Sequence, residues 1–385
     1  MNKKLLAVAI GAALTAPMYA AHAAVTIGGQ AHVSADYTDT FDATANNATT
    51  LSTNSRKMWN VSSNVSNIFF KAEEDLGGGL KGVFFLQEYF RLDNNSGTSN
   101  TSVTLTNRMF DAPAYAGLVS NSLGSLLLGN MDGPAKLTGR YVDLFNNQIG
   151  DSRNTAADNT RFQNAIAYVT PTFFGVSVTL AHSTNLNNQI AATSADTTIN
   201  VGSPPVTPAA ASVAGSTTGD ALGVKYEQGP LMVGFGYHHA INHDSTAATY
   251  ADNKVADLSA GFKIAGARIV GFYESNKANG FVNGTDADTY GIGASYTFGN
   301  ETVKAQYYNL TKKATGVADI SSNIVALGYD HAFSKTFTGY VAVAKSSNDI
   351  GGTVGMAGGG GHGDAPNVAA GQDQSGLSLG VIYNF

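Results

Sequence analysis

The sequence is poor in several residue types that most folds rely on. Its 385 residues include no cysteine, which excludes disulfide frameworks and thiolate metal sites. Charged residues make up 13% of the chain, well below the usual share in soluble domains. Beyond residue 23, no stretch approaches the roughly 18 unbroken apolar residues of a membrane-spanning helix. The 44 glycines, 17 tyrosines and 19 phenylalanines instead favour an all-β protein with many turns.

The N-terminal 23 residues have the pattern of a secretory signal peptide. Met1 to Lys4 form a basic start, about 12 mostly apolar residues follow, and Ala21-His22-Ala23 is a small-x-small cleavage sequence. We therefore predict a signal peptide over residues 1–23 and one domain over residues 24–385.

Net charge restricts the partners of the exported chain. Removal of Lys3 and Lys4 from the 22 basic residues leaves 20 against 28 acidic ones, a net charge of −8. This balance argues against a nucleic-acid partner, because phosphate binding requires a basic surface. It weakly favours cations in a channel, unless basic side chains inside the channel dominate.

Apolar residues alternate with polar or small residues along much of the chain. At the C-terminus, Leu377, Leu379 and Val381 alternate with Ser378 and Gly380. This period of two predicts a β-strand with two different neighbours. The same alternation recurs around residues 222–226, 231–237, 256–264, 290–298, 303–307 and 325–329. The faces of residues 83–91, 267–276 and 337–345 cannot be assigned from the pattern.

The connections between these segments alternate between short and long, which predicts sixteen strands. Short turns are predicted at residues 75–79, 121–124, 171–175, 228–230, 265–267, 299–300 and 334–336. Long loops are predicted at residues 40–54, 92–106, 132–160, 184–219, 242–253, 277–287, 314–322 and 347–374.

Placing all short turns at one end of a sheet and all long loops at the other is typical of a transmembrane antiparallel β-barrel. Backbone groups in hydrocarbon must all be paired, so a sheet crosses a membrane only if it closes. Such a barrel has short periplasmic turns, long extracellular loops, a lipid-facing apolar surface and, with sixteen strands, a water-filled interior. The pattern therefore predicts a protein that crosses a membrane many times.

Four stretches of the chain resemble the Gram-negative general porins. The segment from Ser66 to Lys81, SNIFFKAEEDLGGGLK, is similar to a porin strand that ends in E-D-L-G-x-G-L-K. Residues 114–118, AYAGL, and residues 164–171, NAIAYVTP, resemble two further porin strands. The terminal Phe385 resembles the signal that barrel proteins present to the barrel assembly machinery.

The resemblance implies a homotrimer of sixteen-stranded, multi-pass barrels in the cell outer membrane. It also implies that the third long loop folds inward and narrows each pore. That loop spans about residues 132–160, where acidic and basic residues alternate. Opposed charges across a narrow pore would orient polar solutes. The expected constriction residues are Asp132, Arg140, Asp143, Asp151, Arg153, Asp158 and Arg161.

Basic residues on the strands are the other candidates for the pore lining. Asn67 and Ala112 stand where the family often has basic residues, so these two positions do not supply a basic wall opposite the loop. Each of these candidates either faces the lumen or is a solvated charge at a rim. They are Lys71, Arg91, Arg108, Lys225, Lys263 and Lys304.

Metal, cofactor and enzyme functions find little support in the sequence. His238 and His239 are adjacent, so on a strand they point to opposite faces and do not chelate one ion together. His182-Ser183 fails as a catalytic pair for the same reason, and no nucleophile-elbow motif is present. We expect no cofactor, no bound metal and no catalysis.

Three functions remain open on the sequence alone. The leading hypothesis is a channel for passive diffusion of ions and small hydrophilic solutes. The first alternative is a substrate-selective porin, in which the long loops at residues 184–219 and 347–374 shape the entrance. The second is a plugged barrel that serves as an adhesin or a structural protein.

Overall fold

The computed structural model describes residues 24–42, 56–93, 112–155, 158–186, 217–242, 251–279, 286–313, 318–356, 362–363 and 365–385. The predicted signal peptide and Arg108 lie outside the described residues. Within them, no helix has the length and apolarity needed to cross a membrane.

Strands make up most of the described chain. They are β1 (Ala24–Asp42), β2 (Arg56–Ser63), β3 (Asn67–Gly77), β4 (Leu80–Tyr89), β5 (Ala114–Ser120), β6 (Gly124–Asp132), β7 (Arg161–Val169), β8 (Val176–Ser183), β9 (Thr217–Gln228), β10 (Leu231–Asn242), β11 (Ala251–Ile264), β12 (Ala267–Asn279), β13 (Asp286–Phe298), β14 (Glu301–Lys313), β15 (Ile320–Ala332), β16 (Phe337–Asn348) and β17 (Gln372–Asn384). Helix α1 (Pro134–Arg140) and a 3-10 helix (Ser152–Thr155) lie between β6 and β7.

The strands form one closed antiparallel sheet. Neighbours along the chain pair with each other, and β17 pairs back onto β1. Segments β2 and β3 both pair with β1 and are two parts of one wall strand, so the described residues build the sixteen strands that the sequence predicts. Closure pairs the edges that an open sheet would expose to lipid.

The break between β2 and β3 is a bulge that reverses the inside and outside positions of the strand. Val65 has a φ of 57°, an uncommon value for a β-branched residue. Polar bonds to β1 hold the break in place: the Asn64 amide donates to Ser34 Oγ at 2.8 Å, and Ser66 Oγ donates to the His32 carbonyl at 3.1 Å. Since one extra residue shifts the alternation, Val61 and Phe70 both face outward.

The two ends of the described sheet meet at a tight seam. The Gly29 amide donates to the Phe385 carbonyl at 3.0 Å, and the Phe385 amide donates to the Gly29 carbonyl at 3.1 Å. A Cβ atom at Gly29 would lie 2.3 Å from the backbone carbonyl oxygen of Asn67 and 2.7 Å from the Phe385 ring, so only glycine fits there. The terminal aromatic residue therefore packs directly on the first strand.

The outer face is a continuous apolar band, as the alternation predicts. Large apolar side chains at every second position are exposed, for example Leu258, Ile292 and Leu327. Aromatic side chains cluster near the short turns, where Phe337, Tyr383 and Phe385 follow one another in ring contact. Such girdles are typical of the lipid–water boundary of membrane barrels.

Candidate pore and inner wall

The third long connection, described over residues 133–155 and 158–160, packs against the inner face of the sheet. Helix α1 contacts β9, β10 and β11 on the face opposite the apolar band. The wall has glycines at the points of contact: a Cβ at Gly223 would lie 2.8 Å from Pro134, and a Cβ at Gly236 would lie 2.5 Å from the backbone of Ala135. The helix lies this close to the wall because these two inner positions carry no side chain.

Beyond α1, the connection forms an apolar core with the inner wall. Val142, Phe145 and Ile149 are fully buried, in one cluster with Tyr308 and Ile324 of β14 and β15. Burial of side chains of this size stabilises the contact by about 1.5–3 kcal/mol each. This core fixes the connection against the wall.

A buried polar network holds the shape of the connection. Asp143 accepts hydrogen bonds from the Phe145 amide at 2.9 Å, from the Ser152 hydroxyl at 3.0 Å and from the Gln306 side chain at 3.0 Å. Asp151 pairs with Arg153, and all three charged side chains are buried. Asp143, Asp151 and Arg153 thus bond to their own segment and to the wall.

The two acidic groups of this network differ in pKa. Burial, together with the nearby Asp151 carboxylate, raises the pKa of Asp143 to about 6. Burial alone would also raise the pKa of Asp151, but the Arg153 guanidinium and Arg140 bring that pKa below its ordinary value. Asp151 is therefore ionised at neutral pH and Asp143 titrates just below it.

A second charged cluster lies where the connection leaves β6. Asp132 Oδ1 forms ion pairs with Lys136 Nζ at 2.8 Å and with Arg161 Nε at 3.0 Å. Burial lowers the pKa of Lys136 to about 8. Two basic side chains, Lys136 and Arg161, thus contact one carboxylate, and the cluster has a positive local balance.

The connection returns to the wall through Asp158. Its backbone amide donates to the Glu274 carboxylate at 2.8 Å, and its side chain accepts from Thr160 Oγ1 at 2.6 Å. A buried His238 lies 3.7 Å from the Asp158 carboxylate. His239, its neighbour in β10, faces the other side and lies 3.5 Å from Asp252.

The strand residues predicted for the pore are in two different settings. Lys304 is buried, pairs with Asp330 at 2.8 Å and lies 4.8 Å from the centre of the Phe145 ring. Lys71 points inward from β3 with half of its side chain exposed, and it pairs with Glu73 at 2.6 Å. Lys304 thus belongs to the wall under the third connection, whereas Lys71 lies on the wall opposite.

The wall formed by β3, β4 and β5 is different in character from the wall under the third connection. Its inward side chains include a stack of three aromatic rings, with Phe85 between Phe69 and Tyr115 at 5.7 and 5.3 Å. Closer to the short turn, Lys81 is 53% exposed and lies 3.5 Å from Glu73. These charges are accessible from the interior.

The described residues of the last long connection, between β16 and β17, also pack inside. Met356 is fully buried, and its carbonyl accepts a hydrogen bond from Asn154 of the third connection at 3.1 Å. His362 lies 3.3 Å from Asp36 of β1, and the Gly363 amide donates to Asn64 at 2.9 Å. The sequence shows no motif for these contacts.

One further basic group on the inner wall has no signature in the sequence. Arg268 points inward from β12 and its guanidinium donates to the Tyr141 carbonyl. It stands directly opposite Lys263 of β11, while Lys225 of β9 points to the same region. The turn-side wall below the third connection is therefore basic.

Comparison with known proteins identifies the family. A sequence profile described as Gram-negative porin matches residues 6–353. The chain belongs to the Gram-negative porins. This porin is 27% identical to outer membrane porin protein 32 of Delftia acidovorans over the full length of both chains. It is 28% identical to an outer membrane porin protein of Bordetella pertussis, over 72% of this chain and 76% of that protein.

Solved structures agree on the architecture. The porin superposes on the anion-selective porin from Comamonas acidovorans with a TM-score of 0.70 and 22% identity, covering 94% of this chain and 100% of that one. It superposes on a trimer form of OmpT from Vibrio cholerae with a TM-score of 0.62 and 16% identity, covering 94% and 99%. The porin is thus an outer-membrane, multi-pass barrel that forms a channel.

Proposed function

We propose that this porin passes small hydrophilic solutes by diffusion with a preference for anions. The observation that carries the proposal is the charge on the inner wall near the short turns. Six basic and four acidic side chains face inward there among the described residues. They are Lys71, Lys81, Lys225, Lys263, Arg268 and Lys304 against Glu73, Asp75, Glu227 and Asp330.

The basic surplus inside outweighs the net charge of −8 of the exported chain as a guide to selectivity. Salt screens charges beyond about 8–10 Å, so acidic residues on distant loops have little effect on an ion in the pore. Glu227 and Asp330 each pair closely with a lysine, at 2.6 and 2.8 Å. Lys263 and Arg268 form no ion pair with a carboxylate of the described residues. The similar fold of the anion-selective porin from Comamonas acidovorans supports this proposal.

The reversal potential in a potassium chloride gradient tests the preference. Purified porin in a planar bilayer is expected to give a reversal potential of the sign that chloride sets. A reversal potential of the potassium sign would contradict the proposal, since the acidic loops would then dominate.

We also propose that the pore is narrowest where residues 133–160 face the wall of β3 and β4. The buried contacts of Phe145 and α1 support a fixed position for this segment inside the barrel. Replacement of residues 142–150 by a short glycine-serine linker should raise the single-channel conductance. An unchanged conductance would assign the narrowing to another part, for instance the last long connection.

A plugged barrel and a substrate-selective porin make different predictions for the same bilayer. The exposed Lys71 and Lys81 on the inner wall support an open water-filled channel. An open channel gives large ohmic steps, a selective one gives steps that its substrate blocks, and a plugged barrel gives none. Passage through the proposed channel is passive and involves no catalysis.

Assembly is the last part of the proposal. OmpT has a trimer form, and we propose a homotrimer in outer-membrane lipid for this chain as well. We further propose that Phe385 presents the last strand to the barrel assembly machinery. Phe385→Ala should lower the amount of folded trimer in the outer membrane and leave the conductance of folded protein unchanged. A normal yield of folded trimer would contradict the role of Phe385.

A further inference from the structure

The inner wall has a cavity between the third connection and the turn that joins β9 to β10. Its volume is about 180 Å³, and it opens toward the interior on the turn side of α1. Three basic side chains converge on it from the inner faces of β9, β11 and β12, with one carboxylate and an apolar side chain from β10. The residues that define it are Tyr141, Lys225, Glu227, Met232, Lys263 and Arg268.

We propose that this cavity binds the carboxylate of one small organic anion, held by Lys263 and Arg268 with the apolar part of the anion against Pro230 and Met232. The proposal deepens the anion preference stated above and rests on it. The channel would then conduct by diffusion and also contain a saturable site for small organic carboxylates.

The first argument is the unbalanced charge. Lys263 and Arg268 stand directly opposite each other in the pairing of β11 with β12. Like charges in this position repel and destabilise a sheet pair. The carboxylate of the cavity, Glu227, is already paired with Lys225 at 2.6 Å. An anion between Lys263 and Arg268 would relieve the repulsion.

The second argument is that two of the groups are held in position. The Arg268 guanidinium donates to the carbonyl of Tyr141, which leaves its other N–H groups for a ligand. Lys225 Nζ lies 4.7 Å from the centre of the Tyr141 ring, a cation–π contact. Because α1 and the core around Phe145 fix Tyr141, the donors of Arg268 stay directed at the cavity. Pre-organised donors lose less conformational freedom on binding.

The third argument is the match between size and lining. Pockets for drug-sized ligands occupy about 300–1,000 Å³, so a cavity of about 180 Å³ suits a smaller molecule. Pro230 and Met232 give one side an apolar surface, which a short aliphatic or aromatic body can cover. A short monocarboxylate such as butyrate or benzoate meets both requirements. Inorganic phosphate meets the charge requirement alone.

Current block in planar bilayers tests the site with three probes, butyrate, benzoate and phosphate, added on the side of the short turns. Wild-type porin should show block that saturates with each carboxylate. Lys263→Gln should raise the half-blocking concentration of benzoate about tenfold, the factor that corresponds to about 1.4 kcal/mol. Lys263 is the first choice because its side chain holds no other element in place. Absence of saturation, or the same half-blocking concentration in Lys263→Gln, would overturn the proposal.

Two further comparisons separate the site from general electrostatics. Lys81→Gln removes one inward lysine outside the cavity and should leave the half-blocking concentration within about twofold, since a distant charge is screened. Arg268→Lys keeps the charge and should retain more block than Arg268→Gln. If phosphate blocks at lower concentration than benzoate, the apolar lining contributes nothing and the assignment to organic anions fails.

The reversal potential distinguishes this proposal from the anion preference. A wild-type channel that prefers potassium contradicts the anion preference whatever the block shows. A wild-type channel that prefers chloride but shows no saturating block by benzoate contradicts the site alone. Folding of every variant is checked by its far-ultraviolet circular dichroism in detergent.

Discussion

The inner wall of the barrel has two regions with opposite character. Under the third connection, the inward positions of β9 to β16 carry glycines, buried apolar side chains such as Phe272 and Ile324, and buried polar groups such as Gln306. On β3 and β4, the inward positions carry exposed charges such as Lys71 and Lys81. Both regions belong to one sheet with the same apolar outer band. The composition of an inner face therefore follows what that face touches, protein in one region and water in the other.

The covered wall should respond most to loss of the core under the third connection. Phe145→Ala removes a fully buried ring and should lower the free energy that holds this segment against the wall by about 3–5 kcal/mol. We expect faster amide exchange over residues 141–155 and noisier, larger single-channel currents. Phe235→Ala, on the outer face, is the control and should leave both unchanged. Equal effects of the two variants would mean that the two faces of the wall do not differ as described.

The glycine positions of the covered wall provide the next test. Gly236→Val places side-chain atoms against the backbone of Ala135 and should cost about 1–3 kcal/mol by overpacking. Gly271→Val is the matched control, because a Cβ at Gly271 meets nothing within 4 Å. Proteolysis of the segment at α1 should accelerate in the first variant only. Resistance to protease in both would show that α1 does not depend on the bare backbone of β10.

The buried carboxylate of the third connection predicts a pH dependence of its anchoring. Burial raises the pKa of Asp143 to about 6 from an ordinary value of 3.8. At a pH between 3.8 and about 6, the carboxyl group is therefore protonated in the folded segment and ionised in the unfolded one. Since the folded state binds more protons there, anchoring strengthens as the pH falls from about 7 to about 4.5, by an amount on the order of 2 kcal/mol.

Amide exchange of residues 141–150, corrected for the intrinsic rate, measures this dependence. Exchange should be slower at the acidic end of that range than at neutral pH. Asp143→Asn, which carries no titrating proton, should remove the difference. The opposite trend in the wild type would mean that the ionised form is the favoured one.

The open wall should give the smallest change. Lys71→Gln removes a half-exposed charge that pairs with Glu73, and surface pairs of this kind contribute little to stability. We expect an unchanged unfolding temperature and a small shift of the reversal potential toward potassium. A clear loss of stability would show that this wall, too, depends on fixed contacts.

The strand pattern predicts the architecture well, and the stretches where it fails share one physical cause. All seven short turns and the sixteen wall strands agree with the structure. The unassigned stretches are now β4, β12 and β16. Their inward residues Phe85, Phe272 and Tyr340 are aromatic, so both faces are apolar and the alternation disappears. Such residues face inward because loops or other rings cover them.

The candidate site is less accessible to prediction. The sequence places Asp143, Asp151 and Arg153 in the inward segment, but spacing does not say which charges pair with one another and which remain available to solutes. In the structure these three are buried, whereas Lys263 and Arg268 face a cavity. The last connection is a further example, because its contacts from Met356 and His362 join residues far apart in the chain.

The sequence by itself determines that the chain forms a closed sheet across a membrane. The period of two and the alternating loop lengths are local features of the chain. Because every backbone group in lipid must be paired, strands with these features form one closed barrel. Only the tertiary structure decides which inner residues meet protein and which meet water. That choice depends on how two long connections pack inside the barrel, and on contacts such as that of Asn154 with Met356, which no local pattern records.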